Sequence, residues 1–348
     1  MSLSVALLAR LPPEVAHAVA LETAARLPDA ALRLIARRQA VRDPRLEVRA
    51  FGLTFPSPIG LAAGYDKDAL AVRALFAFGF GHVEVGTVTR APQRGNDGPR
   101  LTRVRSARAL VNRLGFPSAG VDVVVGRLRR LRARGPLPGV LGVNIGKNRD
   151  VPLDRAPDEY AALTLAVADV ADYVAVNVSS PNTEGLRSLQ TGAALRALLG
   201  AVVSARAASR TRPPVLVKLS PDLTEADLAA LVDEALAAGV DGLIATNTTL
   251  SREGLPAAAQ GLVGGLSGAP LARRSLEVLR QLARRVDGRV PIVSVGGVAT
   301  AEDAVERLRS GATLVQLYTA LVYRGPVLVR DLSLGILDAY ASGLRAPG

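Results

Sequence analysis

The chain carries 43 basic residues, and only three of them are lysine: Lys67, Lys147 and Lys218. Each follows an apolar run, in "IGLAAGYDK", "VLGVNIGK" and "VLVK". Arg serves wherever a generic positive charge suffices, so a retained lysine points to a need for the compact ammonium. Asparagine is equally scarce, and five of the seven (Asn112, Asn144, Asn177, Asn182 and Asn247) fall in the same kind of place. One such Asn would be an ordinary turn cap. Several converging amides suit a flat ligand with alternating C=O and N–H groups, an imide or ureide ring, because each offers an acceptor and two donors. Lys67 could neutralise a carboxylate on that ligand. Lys218 could form a Schiff base if burial depressed its pKa, or hold a positive charge beside an anionic cofactor ring. In "NVSSPNTEGL", from Asn177 to Leu186, Ser180 is the one base-like atom between the amides. A serine hydroxyl needs activation. Neither His17 nor His82 ends a strand, so no Ser-His-Asp arrangement is expected; a relay through a neighbouring hydroxyl such as Thr183, or through water, is the alternative.

These side chains need a scaffold that brings many chain segments to one rim. From about residue 56 a unit repeats: a short apolar strand, a polar or Gly-rich turn, then a helical pattern. The strands read "SPIGLAAG", "HVEVGTVT", "GVLGVNIG", "DYVAVNVS", "PVLVKLS", "GLIATNT", "PIVSVGG" and "TLVQLYT". Near-continuous apolar strands suit a parallel sheet covered on both faces. "TEADLAALVDEALAAG" and "TAEDAVERLRSG" each open on a Thr N-cap and stop at Gly. Eight β-α units predict an α/β fold, a (β/α)8 TIM barrel with chemistry at the strand C-termini. A doubly wound sheet would usually bring a G-x-G-x-x-G or G-x-x-x-x-G-K-[ST] turn, and neither occurs. "SVGGVATAEDA" sets Gly296 and Gly297 before a helix start, and "QLYTAL" follows the eighth strand; both are turns of the phosphate-binding type. "GGLSG" (264–268) reads as a third contact or a flexible loop, and "LEVRAFGLTF" as a hairpin closing the barrel bottom. Residues 1–40 read as a small N-terminal helical extension, two short helices broken by Pro12, Pro13 and Pro28. In the second, Leu32, Ile35 and Ala36 share a face. That helix is either docked or a basic amphipathic element for a membrane surface. Residues 41–348 form the barrel domain.

Composition narrows the field. A chain of 348 residues, 49% hydrophobic, can bury a large core. Without cysteine, disulfides, thiolate metal sites and Cys nucleophiles are excluded, and two distant histidines predict no metal site. The net charge of +12 admits nucleic acid, an anionic membrane or anionic small ligands. With 3% aromatic residues there is no base-stacking platform, so no nucleic-acid partner is expected. No apolar run approaches the ~18 residues of a membrane span. "SLSVALLARLPP" lacks a basic n-region and a cleavage site, so the expected state is soluble or peripheral, on the cytoplasmic side.

Ten blocks in order, "GLAAGYDKDA", "EVGTVTRAPQRGNDGPRLTR", "NRLGF", "NIGKN", "NVSSPNTEGLRSLQ", "VKLSPDL", "ATNTTL", "GGLSG", "VSVGGV" and "LVQLYTAL", resemble the dihydroorotate dehydrogenases, over essentially the whole chain. The resemblance implies FMN at the barrel mouth, touched by Ala63, Gly64, Tyr65, Asp66, Lys67, Thr87, Asn144, Asn177, Lys218, Thr246, Gly268, Gly297, Tyr318 and Thr319. It implies dihydroorotate, and its product orotate, held by Lys67, Asn112, Arg113, Leu114, Gly115, Phe116, Asn177, Asn182, Asn247 and Thr248. Ser180 would be the base, with Thr183 and Phe116 on the proton path. Serine at position 180, with the extra N-terminal helices, resembles class 2, the membrane-associated, quinone-reducing form. This implies de novo pyrimidine synthesis with ubiquinone or menaquinone as acceptor, at the cytoplasmic face of the inner membrane. "PEVAHAVALETA" resembles the family's quinone-tunnel helix, and His17, Arg103 and Tyr318 are tunnel candidates. Two other enzymes stay open: a class 1-like oxidation with a soluble acceptor, and a Lys218 Schiff-base lyase on the same barrel.

Overall fold

The computed structural model describes residues 3–344 except 184 and 191, with the backbone alone for 3–5. Eight strands, β1 (Ile59–Leu61), β2 (His82–Val88), β3 (Val140–Ile145), β4 (Tyr173–Asn177), β5 (Val215–Leu219), β6 (Gly242–Ala245), β7 (Ile292–Val295) and β8 (Leu314–Leu317), close into a parallel barrel in chain order. Every residue of all eight is buried, which is why they carry so few polar letters. Val, Leu and Ala on their outer faces pack under a ring of helices. Among these helices, Glu225–Ala237 is capped by Thr224 and Ala301–Arg309 carries a reciprocal capping box between Thr300 and Asp303.

The barrel bottom is plugged rather than open. The expected hairpin pairs Val48–Ala50 with Leu53–Phe55, and its apolar face packs with Tyr173, Leu216, Ile244 and Leu314 inside the barrel. Glycine makes room for this filling. A Cβ on Gly60 would lie 2.0 Å from the His82 ring, and one on Gly142 2.1 Å from the Tyr173 ring.

Two expectations change. The N-terminal extension is three helices, not two: α1 (Leu3–Leu8), α2 (Pro13–Ala25) and α3 (Asp29–Gln39). Pro12 and Pro13 separate α1 from α2, with Pro13 serving as the first residue of α2, where its missing N–H costs nothing. Of the two readings of α3, the docked one holds: Leu32 packs on Ala74 and Ala77, with Ile35 and Ala36 against the same cluster. The "GGLSG" segment is neither a loop contact alone nor flexible. Gly265–Gly268 pairs antiparallel with Ala109–Asn112, which pairs with Leu101–Val104, making a three-stranded sheet over one side of the mouth. About 150 residues separate the two central partners, so local pattern carries no sign of the pairing.

Candidate active site

The strand C-termini open into a cavity of about 830 Å³. Its floor is polar. Glu84, in the middle of β2, is fully buried and accepts three hydrogen bonds: Asn144 Nδ2 to Oε1, and Tyr173 Oη and Gln316 Nε2 to Oε2, each at 2.9 Å. Lys218 Nζ stands 3.9 Å from Oε1. Burial lowers the Lys218 pKa, and Glu84 opposes that shift. The ammonium makes no hydrogen bond among the described residues, although Lys218 lines the cavity. The Gln316 side-chain oxygen, on the same floor, is likewise buried without a partner.

Above the floor the amides are locked to one another. Thr87 Oγ1 donates to Asn144 Oδ1 at 2.6 Å, and Asn177 Nδ2 donates to Thr87 Oγ1 at 2.9 Å. Asn247 Nδ2 reaches Asn177 Oδ1 at 3.2 Å and Ser179 Oγ at 3.0 Å. A second pair joins Asn182 Nδ2 to Asn112 Oδ1 at 3.0 Å. Ser180 lies between the two pairs, buried at the cavity wall, its Oγ accepting the Asn182 N–H at 3.2 Å. Thr183 Oγ1 is buried with no partner.

Lys67 Nζ donates to Gly64 O at 2.7 Å, and Tyr318 Oη donates to the same carbonyl at 3.2 Å. Burial pulls the Lys67 ammonium down to about 8, opposed by the Asp68, Asp66 and Glu14 carboxylates and reinforced by Arg100. On the far side, Gly268, Gly296 and Gly297 have φ of +100°, +122° and +76°. A Cβ on Gly297 would lie 2.4 Å from Ala272 Cα, and one on Gly268 2.3 Å from Arg108 O, so both turns need glycine. Ser275 Oγ and Arg307 Nη2 both hold the Gly296 carbonyl, at 2.7 and 2.9 Å. The N–H groups of Gly297 and Val298 have no acceptor among the described residues, which suits an anion. The helix start beyond does not contribute as expected: Asp303 Oδ2 already accepts the N–H groups of Ala299 and Thr300, at 2.9 Å each, and brings a negative charge.

The N-terminal helices cover the cavity's front. Arg103 and Arg105 donate to the carbonyls of Leu11 and Ala9. Glu14 of α2 receives three bonds from Arg100: N at 2.7 Å, Nε at 3.0 Å and Nη2 at 2.7 Å. His17 meets the Tyr65 ring edge-on at 4.9 Å, and Tyr65 meets Tyr318 edge-on at 5.8 Å. Burial first, then the Lys67 charge, lowers His17 to about 4, so its imidazole is neutral near pH 7.

Most residues singled out from sequence line this one cavity: Ala63, Gly64, Lys67, Thr87, Arg103, Asn112, Leu114, Gly115, Phe116, Asn177, Ser180, Asn182, Lys218, Thr246, Asn247, Thr248, Gly268, Gly297, Tyr318 and Thr319. Others sit elsewhere. The Asp66 carboxylate accepts the N–H groups of Leu70 and Ala71 in the turn before the Val72–Ala77 helix, so its side chain is already engaged. Arg113 is turned outward, onto the carbonyls of Pro99 and Asp97. Asn144 is buried between the Glu84 floor and the amide walls without lining the cavity, while Tyr65 and His17 stand behind Tyr318. Lys147 is structural, donating to three carbonyls of its own loop. Glu84, Tyr173 and Gln316 escaped the sequence reading, although a charged letter inside the apolar run "HVEVGTV" was a usable signal. No group of three or more His, Cys, Asp or Glu among the described residues could hold a metal ion.

A family model described as dihydroorotate dehydrogenase matches residues 45–339. A dihydroorotate dehydrogenase (quinone) from Kineococcus radiotolerans is 51% identical over 345 residues, covering 97% of this chain and 94% of its own length. The protein of that name from Halobacterium salinarum is 51% identical over 333 residues, 94% of this chain and 92% of its own. Among solved structures, a ligand-free DHODH from Eimeria tenella matches with TM-score 0.84 and 39% identity, covering 92% of this chain and 97% of that one.

Proposed function

The chain belongs to the dihydroorotate dehydrogenase family, and from that premise we propose that it oxidises dihydroorotate to orotate with FMN and a membrane quinone, in de novo pyrimidine synthesis. The observation that carries this reading is the convergence of two amide pairs and Lys67 around Ser180, over a floor whose ammonium and amide oxygen lack partners. A planar heterocycle with carbonyl and N–H edges satisfies the amide walls. FMN fits the rest: Lys218 and Gln316 would hold its ring, and the Gly268 and Gly297 turns would admit its phosphate.

FMN, when bound, accepts the hydride. The chain's residues do the remainder. Lys67 holds the substrate carboxylate by charge. Asn112, Asn177, Asn182 and Asn247 fix the ring by hydrogen bonds to its polar edges, which orients one C–C bond toward Ser180. Ser180 Oγ takes the proton as the C=C bond forms, and the partnerless Thr183 hydroxyl is the next carrier. Phe116, buried over the same wall, keeps water away.

Residues 1–40 serve quinone access. Leu7, Leu11, Val15 and Val19 are exposed apolar side chains on or between α1 and α2, beside Arg103, and they suit the hydrocarbon edge of a membrane. No helix among the described residues is long and apolar enough to cross a membrane; the proposed contact is peripheral, at the cytoplasmic face. The test is anaerobic. Dihydroorotate is added to the purified protein, the visible flavin band is followed, and a ubiquinone analogue is then added. Bleaching followed by recovery supports the reading. A flavin that does not bleach assigns the site another substrate, and a colourless protein that takes up no FMN overturns it.

A further inference from the structure

Glu84 is a buried carboxylate that the reaction above does not use. It sits one layer below the substrate, joins side chains of five barrel strands, and is the sole acidic group within ion-pair distance of Lys218 among the described residues. Three neutral donors already hold its two oxygens, so it needs no ammonium for hydrogen-bond satisfaction. The 3.9 Å separation from Lys218 Nζ is an ion pair without a hydrogen bond, which leaves every ammonium proton free for the cavity. Tyr173 itself occupies space opened by Gly142, so the carboxylate's place is built into the barrel filling.

We propose that Glu84 is a positioning residue: it pairs with the Lys218 ammonium at the cavity floor and offsets its charge, and so sets the electrostatic environment that the flavin ring meets. This rests on the flavin reading above. An uncompensated ammonium at that distance would favour the electron-rich, reduced ring; the carboxylate moderates it. Asn144 extends the same control upward, since its Nδ2 is bound to Glu84 while its Oδ1 receives Thr87 and Asn177. Glu84 acts through Lys218, so its influence on the ring is expected to disappear when the lysine does.

The test is the two-electron midpoint potential of the flavin in four holoproteins: wild type, Glu84→Gln, Lys218→Met and the double variant. Glu84→Gln is expected to raise the potential by about 30 mV or more, a tenfold change in the oxidised-to-reduced ratio. The same change in the Lys218→Met background is expected to do nothing. An unchanged potential in Glu84→Gln, or an equal shift with and without Lys218, overturns the proposal and leaves Glu84 as barrel filling. If Glu84→Gln fails to fold, Tyr173→Phe removes one donor and no charge. It is expected to lower the potential by a smaller amount, since a carboxylate with one donor fewer offsets the ammonium more strongly, and no shift there also overturns the proposal. A wild-type protein that binds no FMN fails the function instead, which separates the two readings.

Discussion

Raising the pH through 8 is expected to release the substrate carboxylate from Lys67. The lysine is half-buried, its Nζ bound to Gly64 O, and desolvation pulls its ammonium down to about 8. The sign follows from which form binds: the protonated one pairs with a carboxylate, and deprotonation removes the charge. Roughly nine-tenths of the empty sites carry the ammonium at pH 7 and roughly one-tenth at pH 9. A bound carboxylate raises the lysine pKa again, so apparent affinity should fall about tenfold between these pH values, near 1.4 kcal/mol. Orotate is the probe, titrated into the oxidised flavoprotein while its visible band is followed, because the product binds without turnover. Lys67→Gln keeps a polar tip and loses the charge. It should bind about 10-fold to 100-fold more weakly at pH 7, within the 1.5–3 kcal/mol typical of hydrogen bonds to charged groups, and show no step near pH 8. The wild-type and variant curves should then approach one another above pH 9. A wild-type affinity that is flat from pH 7 to pH 9, or a step of the same size in Lys67→Gln, would refute the assignment.

Ser180→Ala should retain FMN and slow flavin reduction by about 10²-fold to 10⁴-fold in stopped flow, the usual range for a lost general base; near-normal reduction removes Ser180 from its role. Deleting residues 1–40 should spare the reduction rate at saturating dihydroorotate and impair reoxidation by a long-chain quinone. Unchanged quinone turnover in the truncated protein would sink the assignment of that segment. Gly297→Ala places a methyl 2.4 Å from Ala272 Cα at a φ of +76°, so the purified variant should be folded but pale, with FMN recovered in sub-stoichiometric amount by absorbance.

The barrel was legible because its strands are short, mostly apolar and regularly spaced; β1 to β8 fall inside the eight runs read from sequence. The rim residues were legible because Lys and Asn are rare enough for their positions to stand out. What sequence did not reveal is of two kinds. The sheet joining Ala109–Asn112 to Gly265–Gly268 depends on a contact between distant segments, and three-residue and four-residue strands have no periodicity to detect. The Glu84 floor is the other kind. A polar residue facing the inside of a barrel looks like an interruption until its partners on other strands, Asn144, Tyr173, Lys218 and Gln316, are brought around it. The Asp303 cap shows the same limit in reverse: a helix start beside a Gly-Gly turn reads as an anion site, and only the fold shows that its first N–H groups are taken.

The grip of Glu14 on Arg100 has a thermodynamic side. Arg100 also presents its carbonyl to the Arg113 N–H at 2.8 Å, within the "NRLGF" segment that carries Asn112 and Phe116. One chain of bonds therefore runs from α2 to the substrate wall. Linkage makes such a chain reciprocal: whatever loosens α2 weakens substrate binding, and substrate binding tightens α2 by the same free energy. On the proposed function, the two half-reactions would share more than an electron carrier. A membrane that reshapes the N-terminal helices would be felt as a change in the concentration of dihydroorotate needed to half-fill the site.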